Sequence, residues 1–175
     1  MLETLITSKT RLRLLVKFFV NAANQAHMRG LADEFGESTN AIRKELNNLS
    51  EAGYLHKQSV GNRIDYRANT SHPLFQSLQS IVRKYLGLDT IVEKVVDRLG
   101  EVSQVWLLGD YARGKDSGTI DIIVVGEAID NTYLSQLKEK IMTLIGRNIN
   151  IELSEQYEGP GLLLYEEEEI MQNHI

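Results

Sequence analysis

A short stretch between Gly36 and Leu55 carries side chains that can hydrogen-bond to nucleic acid. At helical spacing they share one face, and they are amides, hydroxyls and cations with no carboxylate among them. Such groups can donate to phosphate oxygens, and in a major groove Arg can read guanine and Asn can read adenine. The candidate contact residues are Ser38, Thr39, Asn40, Arg43, Lys44 and Asn47. A solvated helix face has a similar composition, so the neighbouring elements must decide between the two interpretations.

A cap and an apolar stripe predict that this stretch is helical. Ser38 precedes the periodic region, and its hydroxyl can accept from the free backbone N–H groups of a first turn. Ala41, Ile42, Leu46 and Leu49 recur at helical spacing and form the inward face. We call this predicted element the reading helix.

Two further helices are expected before the reading helix. Ser8 can cap a helix that runs to about Val20, and a shorter helix is expected from about Met28 to Phe35, with Gly36 as its stop. The inward residues are Leu12, Leu15, Val16 and Phe19 on the first helix, beside Leu14 and Phe18, and Leu31, Ala32 and Phe35 on the second. A short helix, a turn containing Gly and a second helix with a polar face describe a helix-turn-helix.

Two segments of alternating pattern follow, LHKQS from Leu55 and RIDYRA from Arg63, joined through Val60, Gly61 and Asn62. This arrangement predicts a β-hairpin. The side chains of Ile64, Tyr66 and Ala68 are expected to face the core. The cations expected to project from the hairpin are Lys57, Arg63 and Arg67, and cations near a hairpin tip can straddle a phosphate backbone.

Charge is divided unevenly along the 175 residues, whose formal net charge is -5. Residues 1 to 85 hold 12 Lys and Arg against 7 Asp and Glu, a net of +5, and the remaining residues hold 7 against 17, a net of -10. The asymmetry favours an N-terminal part that faces nucleic acid and an acidic C-terminal part that does not. The absence of Cys excludes disulfides, and no apolar run has membrane-spanning length, so we expect a cytoplasmic protein without a membrane partner.

The order of these elements, and the segment LADEFGESTNAIRKELNNLSEAGYL with its hairpin, resemble the winged-helix domain of bacterial arsenic-repressor-like and multiple-antibiotic-resistance-repressor-like transcription regulators. The resemblance covers residues 8 to 70 and implies binding to double-stranded DNA. It makes the polar face of the reading helix the major-groove surface, and Lys57, Arg63 and Arg67 the wing contacts. Some winged helices bind proteins instead, and that alternative stays open at this point.

Two helices are expected to link the halves. Pro73 can begin the first, whose apolar residues are Leu74, Leu78, Ile81, Val82 and Tyr85 and which ends at Gly87. The second is expected from about Asp89 to Leu99. Both can pack within their own domains, or the first can pair with its copy in a homodimer, as in related regulators that address two half-sites one DNA turn apart. We favour the homodimer.

The pattern after Val102 indicates an α/β layer. Strands are expected at VSQVWLLG, TIDIIVVG and NINIELS, with a helix from about Asp130 whose inward residues are Leu134, Leu137, Ile141 and Leu144. Between the first two strands, GDYARGKDSGTID resembles the signature of minimal nucleotidyltransferases of the DNA polymerase beta superfamily. In that family a Gly-Ser turn and an Ala-Arg-Gly helix start precede an Asp-x-Asp strand that holds catalytic metal ions.

The resemblance is incomplete at the residues that would perform the chemistry. Gly109, Arg113 and Gly114 keep the frame and Asp121 matches the second metal-binding Asp, but Thr119 replaces the first and Asp110 replaces the Ser of the turn. Glu152 matches the later carboxylate of the family. Nucleotidyl transfer needs cations held between carboxylates and a triphosphate, so we expect no catalytic or metal-binding residues and no cofactor. The alternative is an active enzyme that uses Mg²⁺ and a nucleoside triphosphate to modify a protein or small molecule, with the winged helix used for targeting.

Together these patterns predict an α+β protein with a winged helix-turn-helix domain at residues 1–72, a linking or dimerisation helix at 73–88 and a nucleotidyltransferase-like domain with a small mixed sheet at 89–175. The C-terminal domain then serves in dimerisation, ligand sensing or partner docking, with a small-molecule or protein effector.

The histidines, His27, His56, His72 and His174, lack the spacing of a metal pair. The acidic run from Glu166 to Glu169 is expected to be a solvated face or a frayed tail, and Pro160 and Gly161 to mark the loop that leads to it.

Overall fold

The computed structural model describes residues 1–168 and has a mixed α+β fold, a winged helix and a small α/β domain. Its internal contacts divide it into two units. The first consists of Met1–Leu86 together with Asp110–Asp116, which we call the inserted segment; the second consists of Gly87–Gly109 and the residues from Ser117 onward. Glu169 of the predicted acidic tail and His174 lie outside the described residues.

The helices of the first unit begin and end close to the predicted positions. Its elements are a 3-10 turn at Leu2–Thr4, then α1 (Lys9–Phe19), β1 (Gln25–His27), α2 (Met28–Phe35), α3 (Thr39–Glu51), β2 (Leu55–Val60), β3 (Arg63–Ala68) and α4 (Phe75–Leu86). Ser8 caps α1 by accepting from the Arg11 amide at 3.1 Å. Gly36 ends α2 in the left-handed conformation, with a φ of +63°, which Gly adopts without a steric penalty.

The predicted stripes of α1, α2 and α3 form the core of this unit. Leu14, Phe18 and Phe19 of α1 are fully buried, and so are Ile42 and Leu46 of α3. The Phe19 ring lies 5.8 Å from the ring of Phe75 at the start of α4. Burial of large apolar side chains stabilises each by about 1.5–3 kcal/mol relative to exposure, which is enough to hold three short helices together.

The hairpin strands β2 and β3 belong to a three-stranded sheet in the order β1-β3-β2. Strand β1 was not predicted: it pairs antiparallel with β3, with Ala26 opposite Tyr66. Three residues are too few to show an alternating pattern, so this strand depends on its distant partner.

The structure corrects several predicted burials. Ile64 is 43% exposed, although it shares a face with Tyr66 and Ala68, which are buried, because the hairpin extends past the edge of the core. Helix α4 begins at Phe75 rather than Pro73, and its buried residues are Phe75, Val82 and Leu86, while Leu74 and Ile81 are 47% and 45% exposed. The apolar stripe of α4 is therefore wider than the core that it covers.

The second unit contains a mixed four-stranded sheet. Its elements are α5 (Leu88–Arg98), β4 (Gln104–Leu108), β5 (Thr119–Val125), α7 (Leu134–Ile145), β6 (Asn148–Ser154) and β7 (Leu162–Glu166), and the short helix α6 (Gly109–Ala112) is where the chain passes into the inserted segment. The strand order is β6-β5-β4-β7, with β5 and β6 parallel and the other pairs antiparallel. The mixed sheet is as predicted.

Buried apolar residues alternate along β4, whereas Ile122 to Val125 of β5 are all buried, and α5 and α7 also contribute to the core. Ile91 and Val95 of α5, and Leu137 and Ile141 of α7, are buried, whereas Leu144 is 56% exposed and not inward as predicted. Strand β7 was also not predicted. It follows the loop at Pro160 and Gly161 and includes Glu166, so the predicted acidic tail begins inside a strand.

Candidate functional site

The polar face of α3 is accessible. Ser38 caps the helix by accepting from the Ala41 amide at 3.2 Å, and Thr39, Asn40, Arg43 and Lys44 are exposed, while Asn47 is half-buried. Arg43 donates through Nη1 to Asn40 Oδ1 at 2.9 Å. This contact restrains a long side chain, and a restrained side chain loses less entropy when it binds a ligand.

A buried carboxylate holds α3 against α1. Glu45 is 6% exposed, and it accepts from Arg11 Nε at 2.8 Å and from the Ser8 hydroxyl at 3.1 Å. Glu45 was not predicted to be buried, although it lies three residues after Ile42 and next to Leu46 on the inward side of the helix. The ion pair fixes the rotation of α3 and therefore the direction of its polar face.

The turn between α2 and α3 is fastened to α1 in the same way. Arg13 Nη1 donates to the carbonyl oxygen of Phe35 at 2.9 Å and to Glu37 Oε1 at 3.1 Å, and Thr10 donates its hydroxyl hydrogen to Glu37. The Arg13 guanidinium also lies 5.6 Å from the centre of the Phe35 ring, within the range of a cation–π contact. Helix α1 therefore holds both the C-terminal end of α2 and the turn that leads into α3.

Between α3 and the hairpin lies a groove of about 970 Å³, which we call the cationic groove. Its charged lining residues are Arg29, Arg43, Lys57 and Arg63, and of the residues that the structure describes no Asp or Glu lines it. Asn47, His27 and Tyr66 also line it. Burial raises the pKa of the Tyr66 hydroxyl, an effect that the charge of Arg43 opposes. Arg63 forms an ion pair with Asp65 at 3.0 Å, so its charge is partly balanced.

The cationic groove brings together four of the nine predicted contact residues, Arg43, Asn47, Lys57 and Arg63. Ser38, Thr39, Asn40 and Lys44 lie on α3 outside its lining. Arg67 pairs with His56 in the sheet and occupies the opposite face from Lys57, which pairs with Tyr66. Arg29 and His27 were not predicted as contact residues, although their position at the start of α2, in a helix-turn-helix, indicates the role.

In the second unit, Asp121 lies on β5 beside an amide. Asp121 pairs with Asn150 across the parallel ladder, and Asn150 Nδ2 donates to Asp121 Oδ1 at 2.8 Å. Glu152, predicted as the later carboxylate, pairs with Ile123, one alternate position further along. Thr119 pairs with Asn148. Asn150 therefore stands closest in register to Asp121, and Asn148 and Glu152 lie one alternate position to either side of it on β6.

Steric constraints explain why glycine occupies positions 109 and 114 of the motif. Gly109 has a φ of +63°, and a Cβ there would lie 3.1 Å from Asp121 Oδ2. Gly114 has a φ of +79°, and a Cβ there would lie 2.5 Å from Lys17 Cα and 2.6 Å from its carbonyl oxygen. Asp110 accepts from Arg113 Nη2 at 2.8 Å, so these two charges balance each other.

Within residues 1–168, no group of three or more His, Asp or Glu side chains is arranged to hold a metal ion. The described part of the chain also has no helix that is both long and apolar enough to span a bilayer.

No family model matches the chain, and no curated protein is significantly similar to it. Among solved structures, the chain is similar in fold to a transcriptional repressor. That protein is the antimony-specific repressor AntR, with 24% sequence identity and a TM-score of 0.40 over 53% of this chain and 78% of the repressor.

Proposed function

We propose that the chain is a DNA-binding transcriptional regulator that uses α3 as its reading helix. The observation that carries the proposal is the cationic groove, where four cations and no carboxylate among the described residues border the exposed polar face of α3. A concave surface of one charge sign concentrates counter-charged ligands. The spacing between a helix and a hairpin suits a duplex, whose major groove admits the helix while the hairpin contacts the backbone.

The contacts divide into those that read bases and those that bind phosphates. Arg43, restrained by Asn40, is the base-reading residue, since its guanidinium can donate in a bidentate manner to guanine. Lys57, Arg29 and Arg63 border the groove and neutralise phosphates, which fixes register and orientation without reading sequence.

The test uses fluorescence anisotropy with a labelled duplex of mixed sequence, measured across a salt series. Lys57→Ala is expected to weaken binding and to reduce the slope of log K against log salt by about 0.9, since one phosphate contact is lost. Lys140→Ala removes an exposed Lys charge on α7 of the second unit and is the matched control. Equal effects of the two substitutions, or no effect of Lys57→Ala, would contradict the assigned surface.

We further propose that the regulator is a homodimer formed through α4. Leu78, Ile81 and Tyr85 of α4, and Leu74 immediately before it, are spaced by four, three and four residues, which is the spacing of a helix-pairing seam. Leu74 and Ile81 are nearly half exposed. A symmetric pair of reading helices can address two half-sites of one operator.

Dimerisation is tested by analytical ultracentrifugation of the full chain. Ile81→Glu is expected to shift the protein to monomer, because it places a charge in an apolar interface, whereas Leu144→Glu changes a similarly exposed apolar residue on α7 and leaves the mass unchanged. A wild-type monomer at micromolar concentration would refute the dimer.

For the second unit, we propose a nucleotidyltransferase-like fold that has lost its reaction and serves in dimerisation, ligand sensing or docking. The contact from Asn150 to Asp121 supports this role, because an amide donor engages the carboxylate that a cation would need. The competing function is Mg²⁺-dependent nucleotidyl transfer to a protein or small molecule, and the retained Gly109 turn against Asp121 favours it.

A further inference from the structure

The wall of the cationic groove contains a tyrosine whose hydroxyl has no partner in the described part of the chain. Tyr66 of β3 lines the groove and is only 6% exposed. Within residues 1–168 its hydroxyl makes no hydrogen bond to a side chain or to the backbone. Buried polar groups are nearly always hydrogen-bonded, so this hydroxyl is expected to find its partner in a ligand that enters the groove.

The surroundings of the hydroxyl select the kind of partner. Lys57 of β2 lies directly opposite Tyr66 in the antiparallel ladder, so the two side chains are on the same face of the hairpin. From α3, the charge of Arg43 acts on the Tyr66 hydroxyl. Burial raises the pKa of this hydroxyl, so it stays protonated at neutral pH and can donate a hydrogen bond. Between two cations, and with no carboxylate among the described lining residues, the acceptor that fits best is an anionic oxygen.

The position of Tyr66 indicates which anionic oxygen this is. The groove lies between α3 and the hairpin. When a helix enters the major groove of a duplex and a hairpin contacts the adjacent backbone, the phosphates of one strand pass over the space between the two elements. A side chain as buried as Tyr66 cannot extend to the base edges that α3 addresses, so the phosphates are the part of the duplex within its reach.

We propose that the Tyr66 hydroxyl donates a hydrogen bond to one backbone phosphate of duplex DNA, the phosphate that lies between α3 and the hairpin. This inference rests on the proposed DNA-binding function and adds a neutral contact to it. The cations attract phosphates along the whole strand, whereas a hydroxyl held in place by a buried ring accepts one register of the backbone. Tyr66 therefore fixes the position at which Arg43 meets the bases.

The first test is Tyr66→Phe, which removes the hydroxyl and keeps the buried ring. In the salt series with a labelled duplex, this variant is expected to bind about tenfold more weakly, because a hydrogen bond to a charged acceptor is lost. The slope of log K against log salt is expected to stay unchanged, because the number of phosphates neutralised by cations does not change. Lys57→Ala, by contrast, lowers both the affinity and the slope.

Two controls separate a lost contact from a damaged fold. Tyr54→Phe makes the same chemical change at the end of α3, where the ring contacts His72 outside the groove lining, and is expected to leave the affinity unchanged. Urea unfolding of Tyr66→Phe is expected to match that of the wild type, since the hydroxyl has no partner in the described residues to lose.

The second test locates the phosphate. A duplex that binds tightly is enriched from a random pool with the wild-type chain, and neutral methylphosphonate then replaces one phosphate at a time, or an equivalent pair in a symmetric site. At the phosphate that Tyr66 contacts, the wild type and Tyr66→Phe are expected to differ by less than about twofold, because the charged acceptor is absent for both. At remote positions the difference of about tenfold remains.

The outcomes distinguish this inference from the function on which it rests. A wild type that does not bind duplex DNA overturns both. A wild type that binds, with Tyr66→Phe binding equally well or with no phosphate at which the two converge, overturns the Tyr66 contact alone. Inorganic phosphate offers the same acceptor oxygens: if calorimetry shows that it binds the wild type and not Tyr66→Phe, with duplex binding unchanged, the groove takes a free anion and the proposed contact is wrong.

Discussion

The cationic groove and the Asp121 strand face are both built from polar residues at regular spacing, but their neighbours differ. In the groove, Arg43 and Lys57 meet no carboxylate among the lining residues, so their charges are left for a ligand. On β5, Asp121 is met by an amide at hydrogen-bond distance. The two regions differ in the charges of their tertiary neighbours, which the spacing of polar residues along the sequence does not reveal.

The largest expected effect concerns the packing of the inserted segment against α1, within the unit that contains the cationic groove. Gly114→Ala should destabilise the protein by about 3 kcal/mol or more, since its Cβ would overlap the backbone of Lys17 and the residue would keep a positive φ. Gly118→Ala is the matched control, with a φ of +100° but nothing within 4 Å of its Cβ, and should cost about 1–2 kcal/mol. Urea unfolding measures both, and equal losses would mean that the contact with Lys17 does not form.

A smaller effect is expected where α3 is fixed in rotation. Glu45→Gln should reduce the free energy of unfolding by about 1–2 kcal/mol, because it removes the buried carboxylate charge that pairs with Arg11, while the Arg11 guanidinium remains partly solvated. Glu51→Gln makes the same change at an exposed position of the same helix and should alter stability by less than about 0.5 kcal/mol. If Glu51→Gln were the more damaging of the two, the role of Glu45 would have to be withdrawn.

The smallest expected effect concerns the strand face. Thr119→Asp combined with Asn150→Asp places two carboxylates next to Asp121, which should lower stability by about 1 kcal/mol through repulsion and create weak binding of Mg²⁺ with a nucleoside triphosphate. Calorimetry of the wild type is expected to show no such binding, and adding Asp121→Asn to the double variant should abolish the gain. Strong binding by the wild type would instead identify a working nucleotide site.

Local sequence signals predicted the helices of the first unit, because a capping residue and the apolar stripe that follows it are close together in the sequence. Ser8 and Ser38 cap their helices as expected, and Gly36 ends α2. Glu45 could have been predicted, since its position repeats the buried stripe. Arg29 is on α2, the first helix of the motif, whereas the polar face that indicates contacts is on α3.

The errors occurred where long-range pairing decides the outcome. Ile64 follows the alternating pattern of its strand, but the pattern does not reveal how far the hairpin extends past the core. The amide partner of Asp121 was not predicted either, because only the register of β6 against β5 sets Asn150 beside Asp121. Strand β1 is too short to be recognised without its partner β3.

The inserted segment has a consequence for how this chain can be divided. Three peptide connections, after Leu86, Gly109 and Asp116, join the two units. The inserted segment, which follows α4 in the sequence, contacts α1 where Gly114 lies against Lys17. It also accepts a hydrogen bond at the Ala112 carbonyl oxygen from Asn21 Nδ2, at 3.0 Å. A fragment that stops at Leu86 keeps the reading helix but lacks seven residues of its own unit. Recombination or proteolysis near Gly87 would therefore leave the first unit incomplete, with its seven missing residues carried on the fragment that contains the second unit.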